Sequence, residues 1–129
     1  MARIVIAEDQ AYLRHVLMRW IARSGHEVVG VSDGREALAC VQNEPTDMLV
    51  TDVMMPCLNG IELTRKALAT CPSLRRVFVV TSLCDPQALL DQLPDPRVRI
   101  FPKPFSPSQL LREIDLATTV APQPEGGRA

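Results

Sequence analysis

The feature that most constrains this chain is a change of hydrophobic period that recurs along its whole length. Short apolar runs rich in β-branched residues alternate with segments whose apolar residues return every three or four positions. The runs are Arg3–Ala7, Glu27–Ser32, Met48–Asp52, Arg76–Ser82 and Val98–Phe101. After the first, Leu13, Val16, Leu17, Trp20 and Ile21 fall on one helical face while Arg14, Arg19 and Arg23 face away, and Gly25 closes the segment. After the second, Asp33 with Glu36 forms a capping-box-like start to a helix carrying Ala37, Leu38 and Val41 inward. Asn59 with Glu62 opens the third helix, which runs through about Thr70 and stops at Pro72. Asp85-Pro86 places an N-cap before proline at the first position of a short fourth helix, broken by Leu93-Pro94-Asp95-Pro96. Ser106-Pro107-Ser108-Gln109 starts the last one, with Leu110, Leu111, Ile114 and Ala117 as its apolar positions.

Strict β–α alternation predicts a parallel sheet with right-handed crossovers and helices on both faces. The expected architecture is an α/β three-layer α/β/α sandwich of flavodoxin-like topology, a five-stranded parallel sheet in the order 2-1-3-4-5. With 129 residues there is room for one domain, placed at residues 1–120, and no room for a second. Residues 121–129, rich in Pro and Gly, carry too little apolar surface to fold and read as a flexible tail or the start of a linker.

Composition removes several function classes. The formal net charge is -1 and the Lys and Arg residues are scattered, so no nucleic-acid surface is expected. No apolar stretch approaches the roughly 18–20 residues that span a bilayer, and the first residues lack the cleavage region of a signal peptide, so a cytoplasmic location away from membranes is expected. Cys40, Cys57, Cys71 and Cys84 lack C-x-x-C spacing and are expected to be free thiols. Cys57 and Cys84, on loops after the third and fourth strands, lie on the same edge as Asp52 and could approach each other for a disulfide, which needs Cα atoms within about 7 Å and which cytosolic conditions oppose. His15 and His26 stand alone in polar surroundings and are expected at the surface, outside any mechanism.

The chemistry sits at the strand ends. Met48-Leu-Val-Thr is a strand buried on both faces, and Pro56, Asn59 and Gly60 beyond it forbid continuation, so Asp52 is delivered to the carboxyl edge of the sheet, where open parallel sheets bind ligands. In the order 2-1-3-4-5 the neighbouring ends bring Glu8, Asp9, Asp52, Thr81 and Lys103 around one crevice. Carboxylates crowded to 4 Å repel by about 4 kcal/mol per pair at an effective dielectric near 20, so positive charge must sit among them. Lys103 supplies one charge, and a hard divalent cation such as Mg2+, which takes carboxylate, water and phosphoryl oxygens, would supply the rest. In that setting Asp52 is a plausible nucleophile toward phosphorus, Thr81 a hydroxyl donor to a phosphoryl oxygen, and Lys103 a balancing ammonium.

At these residues the sequence closely resembles the receiver domain of bacterial two-component response regulators, over Arg3 to about Thr119. The residues that carry the likeness are Glu8-Asp9 after the first strand, Asp52 followed by Met55-Pro56 and Gly60, Thr81 after the fourth strand, and Lys103-Pro104 after the fifth. The resemblance implies a phosphorylation-activated switch in which Asp52 takes a phosphoryl group from a histidine kinase or histidine phosphotransfer protein. It further implies that Glu8, Asp9, Asp52 and the backbone carbonyl of Met54 hold Mg2+, and that Lys103-Pro104 is a cis peptide. Phosphorylation would change a binding surface for an output partner that the sequence does not name, in a monomer or weak homodimer. The domain would be no enzyme beyond slow self-dephosphorylation.

Two positions depart from the family pattern. Glu8 stands where Asp is commoner, which lengthens the reach to a metal. Ile100, three before Lys103, stands where the family usually carries Tyr or Phe, and Phe101 should point to the opposite face. A competing reading, a magnesium-dependent phosphohydrolase, would want a second Asp two residues beyond the nucleophile, where this chain has Met54. A third, a pseudo-receiver that only binds partners, fits poorly with the complete set of acids, Thr and Lys. Met54 and Leu83, each two residues beyond a site residue, are apolar and are expected to exclude a hydrolytic water and prolong the phosphorylated state.

Overall fold

The computed structural model describes residues 2–82 and 85–119 of the chain. Strands β1 (Arg3–Ala7), β2 (Glu27–Val31), β3 (Met48–Asp52), β4 (Arg76–Thr81) and β5 (Val98–Pro102) alternate with helices α1 (Ala11–Arg23), α2 (Gly34–Asn43), α3 (Gly60–Thr70), α4 (Pro86–Gln92) and α5 (Pro107–Thr119). The strands form one sheet in the order β2-β1-β3-β4-β5, every pairing parallel, as the alternation predicts.

Side chains divide between two cores because successive strand residues point to opposite faces. On one face Val5, Leu49, Val77 and Val79 pack with Ala37 and Val41 of α2, Leu63 and Ala67 of α3, and Leu89 of α4. On the other, Ile4, Ile6, Val50, Phe78 and Val80 pack with Leu17 and Ile21 of α1 and Leu110 and Ile114 of α5. β3 lies at the centre with all its residues buried, Asp52 included. Register then sets the upper edge: Asp52 pairs with Val80, and Thr81 pairs with Pro102, so the ends of β3, β4 and β5 arrive side by side.

The expected caps hold the helices in place. Asp33 accepts from the Glu36 amide at 2.8 Å, and Asn59 accepts from the amides of Ile61 and Glu62 at 3.0 Å. Asp85 accepts from Ala88 N–H at 3.2 Å with Pro86 beside it, and Ser106 Oγ accepts from Gln109 N–H at 3.3 Å. Gly25, at φ +90°, turns the chain out of α1 into β2, a conformation that side chains with a Cβ resist.

Three expectations are corrected. Trp20 lies at the rim of α1, 39 % exposed, and the residues of that helix sealed in the core are Leu17 and Ile21. Arg14 does not face away but is half-buried against the loop after β1. His26 is not a surface residue: it is 8 % exposed, its Nδ1 accepts from Ala2 N–H at 3.1 Å, and its Nε2 lies 2.9 Å from Asp115 Oδ1. The parallel register that sets Arg3 beside Glu27 also sets Ala2 beside His26, and the imidazole satisfies an amide that would otherwise be buried alone. His15 is exposed, as expected.

Candidate functional site

Four strand ends and the loops after them build one acidic crevice. Asp52, the last residue of β3, is 8 % exposed; its Oδ2 accepts from Lys103 Nζ at 2.7 Å and its Oδ1 lies 3.4 Å from the Met54 amide. Glu8, just past β1, is 2 % exposed, with Oε2 accepting from Gln10 N–H at 3.1 Å and Oε1 lying 3.6 Å from Lys103 Nζ. Its longer side chain is thus folded back into the site. Asp9 is exposed, and one carboxylate oxygen from each of Glu8, Asp9 and Asp52 can be found within 4.8 Å of the others.

The electrostatics follow from this crowding. Burial, with the charges of Asp52 and the proximity of Asp9, pushes the Glu8 carboxyl above the usual carboxylate range, against the Gln10 amide and Lys103, which pull it down. Lys103 is raised as well: burial would lower it, but the hydrogen bond and charge of Asp52, and then Glu8, outweigh that. The ammonium is therefore held charged between two acids, one cation against three carboxylates. This donor set fits a hard divalent cation in its chemistry, being made of carboxylate oxygens with a net negative surplus.

Thr81 ends β4 and is 1 % exposed; its carbonyl accepts from the Lys103 amide at 2.7 Å, tying the β4 and β5 ends together. The Lys103-Pro104 peptide is cis, as the resemblance implies. Gly60 closes the floor: its amide donates to Val53 carbonyl at 2.8 Å, and a Cβ there would sit 1.9 Å from the carbonyl oxygen of Asp52. Only a residue without a side chain lets α3 begin this close to the strand end. Met54 is 67 % exposed at the mouth of the crevice.

Residues 4–115 match the sequence profile of the response regulator receiver domain. The chain belongs to this family. Among relatives of this receiver domain, the response regulator receiver protein CpdR of Brucella abortus (strain 2308) is 34 % identical over 116 residues, covering 89 % of this chain and 95 % of that protein. The response regulator MprA of Mycolicibacterium vanbaalenii is 36 % identical over 115 residues, 87 % of this chain but 48 % of its own length, so the receiver domain spans about half of that relative. A CheY-like receiver domain protein from Methanospirillum hungatei JF-1 superposes with a TM-score of 0.79 at 24 % identity over 90 % of this chain and 92 % of its own, a likeness of fold. The receiver domain is accordingly a regulatory phosphoacceptor domain, a signalling switch activated by phosphorylation.

Glu8, Asp9, Asp52, Thr81 and Lys103, the residues expected from the sequence to carry the chemistry, lie along this one edge. The three acids are in mutual reach and Lys103 meets two of them, Asp52 and Glu8, whereas Thr81 is placed at the adjoining strand end. Ile100 packs with the core of α2, α3 and α4. Phe101 packs on the opposite face, edge-on to Phe78 with ring centres 5.8 Å apart, as strand alternation requires. Cys40, Cys57 and Cys71 are free thiols, while Cys84 and Leu83 lie outside the described residues, and with them the pairing with Cys57 and the expectation for Leu83. Sequence reasoning missed Arg14, whose guanidinium donates to the Glu8 carbonyl at 2.7 Å; its place one turn into a helix directly after the acidic pair was the available signal. Among the described residues no helix is long and apolar enough to cross a membrane.

Proposed function

We propose that Asp52 is the phosphoacceptor of this receiver domain, that Glu8, Asp9, Asp52 and the Met54 carbonyl hold Mg2+, and that Thr81 and Lys103 serve the phosphoryl group. The observation that carries this reading is the Lys103 ammonium set 2.7 Å from Asp52 and 3.6 Å from Glu8 among three carboxylates. A bound Mg2+ would neutralise the surplus charge and polarise phosphoryl oxygens.

The residues do the rest. Lys103 orients Asp52, so that a carboxylate oxygen attacks phosphorus as the bond from phosphorus to the donor's imidazole nitrogen breaks and its electron pair stays on that nitrogen. The near-complete burial of Asp52 and Glu8 keeps bulk water from the reacting carboxylate. Once the acyl phosphate exists, Lys103 Nζ balances one of its oxygens and the Thr81 hydroxyl donates to another. The added charge of about -1.5 to -2 then biases the domain between two conformations.

The donor in this reading is a histidine kinase or histidine phosphotransfer protein, and the response is read by an output partner in the cytoplasm, with the domain a monomer or weak homodimer that binds no nucleic acid through this surface. We read the chain as a regulator and not an enzyme because Met54, at the position two beyond Asp52, has no proton to give. Incubation with Mg2+ and a small phosphodonor should label the wild type with a hydroxylamine-labile phosphate and leave Asp52→Asn unlabelled. Labelling of that variant at the wild-type level would overturn the assignment.

A further inference from the structure

The acidic loop between β1 and α1 is held at few points. Asp9 is exposed, so packing does not aim it, and Gln10, the N-cap of α1, makes no side-chain capping bond. What fixes the loop is a set of bonds around Glu8. Its amide donates to Val31 carbonyl at 3.1 Å, its carboxylate accepts from Gln10 N–H at 3.1 Å, and its carbonyl accepts from Arg14 Nη1 at 2.7 Å. Arg14 closes the same loop through its backbone, its amide donating to Gln10 carbonyl at 2.9 Å.

We infer that Arg14 is a positioning residue for the acidic site: by clamping the Glu8 carbonyl it sets the peptide that leads into Asp9. The inference rests on the metal-binding reading given above. The Glu8 carbonyl belongs to the peptide joining the two acids, and a peptide is a rigid plane. Rotation of that plane therefore swings the Asp9 carboxylate relative to Asp52. Without a donor, the carbonyl dipole would lie unbalanced beside three carboxylates, which favours such rotation. Magnesium demands near-ideal octahedral geometry, so an acid displaced from its place is lost as a ligand. Groups that orient metal ligands typically change affinity by about 10- to 100-fold when removed.

Charge alone predicts the opposite sign. Arg14 is a cation near an acidic site, so its removal should strengthen Mg2+ binding if it acts only through the field, and weaken it if it acts by position. The full chain would be titrated with Mg2+ by calorimetry at 25 °C, with unfolding followed in metal-free buffer, for wild type, Arg14→Gln, Arg14→Lys and Asp9→Asn. We expect Arg14→Gln to bind Mg2+ about tenfold more weakly and Arg14→Lys, which restores charge and one donor, to fall between it and the wild type. A merely structural role would lower the melting temperature and leave the affinity of the folded protein unchanged. Should Arg14→Gln not fold, Arg14→Lys carries the test: a loss of a few fold supports positioning, and wild-type affinity refutes it. Wild-type or tighter binding by Arg14→Gln, with binding lost in Asp9→Asn, overturns the role of Arg14 alone. Undiminished binding by Asp9→Asn overturns the metal-site reading itself.

Discussion

Replacing Asp52 by Asn should make the metal-free domain more stable, although it removes the shortest ion pair in the site. The lost attraction to Lys103 at 2.7 Å is about 6 kcal/mol at an effective dielectric near 20. Against it stands repulsion from Glu8, at least about 3.5 kcal/mol for oxygens no more than 4.8 Å apart, and a smaller, water-screened share from the exposed Asp9. These charge terms nearly cancel. The sign is then decided by desolvation, because Asp52 is 8 % exposed and burying an ion costs several kcal/mol, which a neutral amide of the same shape largely avoids. Lys103 keeps Glu8 at 3.6 Å and so is not left unpaired, and the amide oxygen can still face the Met54 N–H. A net gain of about 1–2 kcal/mol corresponds to a melting temperature higher by roughly 4–8 °C for a domain of this size. Thermal and urea unfolding with a chelator present would measure it. A variant that melts below the wild type would show that the Lys103 pair outweighs the crowding. With Mg2+ added, linkage should stabilise the wild type more than the variant, and equal shifts would place the cation elsewhere.

Other outcomes follow from neighbouring residues. The Glu8 carboxyl is raised in the folded state, so the native protein binds more protons than the unfolded one just above pH 4.5, and metal-free stability should fall as pH rises through that window. Glu8→Gln should flatten this fall and be the more stable form at pH 7, with the difference shrinking toward pH 4.5; parallel pH profiles would refute the burial argument. Gly60→Ala puts a methyl 1.9 Å from the Asp52 carbonyl and should cost about 2–3 kcal/mol and slow phosphoryl uptake, which denaturation curves and labelling rates would test. Met54, 67 % exposed beside the site, cannot orient a water by a strong hydrogen bond, so Met54→Asn should shorten the lifetime of the phosphorylated form several-fold; decay at the wild-type rate in Mg2+ buffer would show that backbone groups place that water.

The difference between what was legible and what was not is one of range. Asp33, Asn59, Asp85 and Ser106 cap their helices within three residues, so local chemistry reveals them. Alternation and the handedness of crossovers leave few strand orders, and the expected one, which the structure has, brings Asp52, Glu8 and Lys103 to one edge. Phe101 and Ile100 sort to opposite faces by strand period, without knowledge of their neighbours.

His26 and Arg14 could not be read this way. A histidine between Gly25 and Glu27 has the local surroundings of a surface residue, and only the pairing of β1 with β2 lays it against the Ala2 amide, with α5 bringing Asp115 to its other nitrogen. Arg14 sits where an amphipathic pattern turns basic residues to solvent, yet the path of the loop before α1 brings the Glu8 carbonyl within its reach. Residue types and their periods thus determined the fold, the edge that carries the chemistry and the acids and lysine that gather there, because these depend on local bonds and on burial summed along each element. Tertiary structure alone decided which carboxylate Lys103 approaches most closely, how far Glu8 is buried and which arginine braces the acidic loop. Those depend on ångström-scale distances between residues far apart in the chain, which no local pattern encodes.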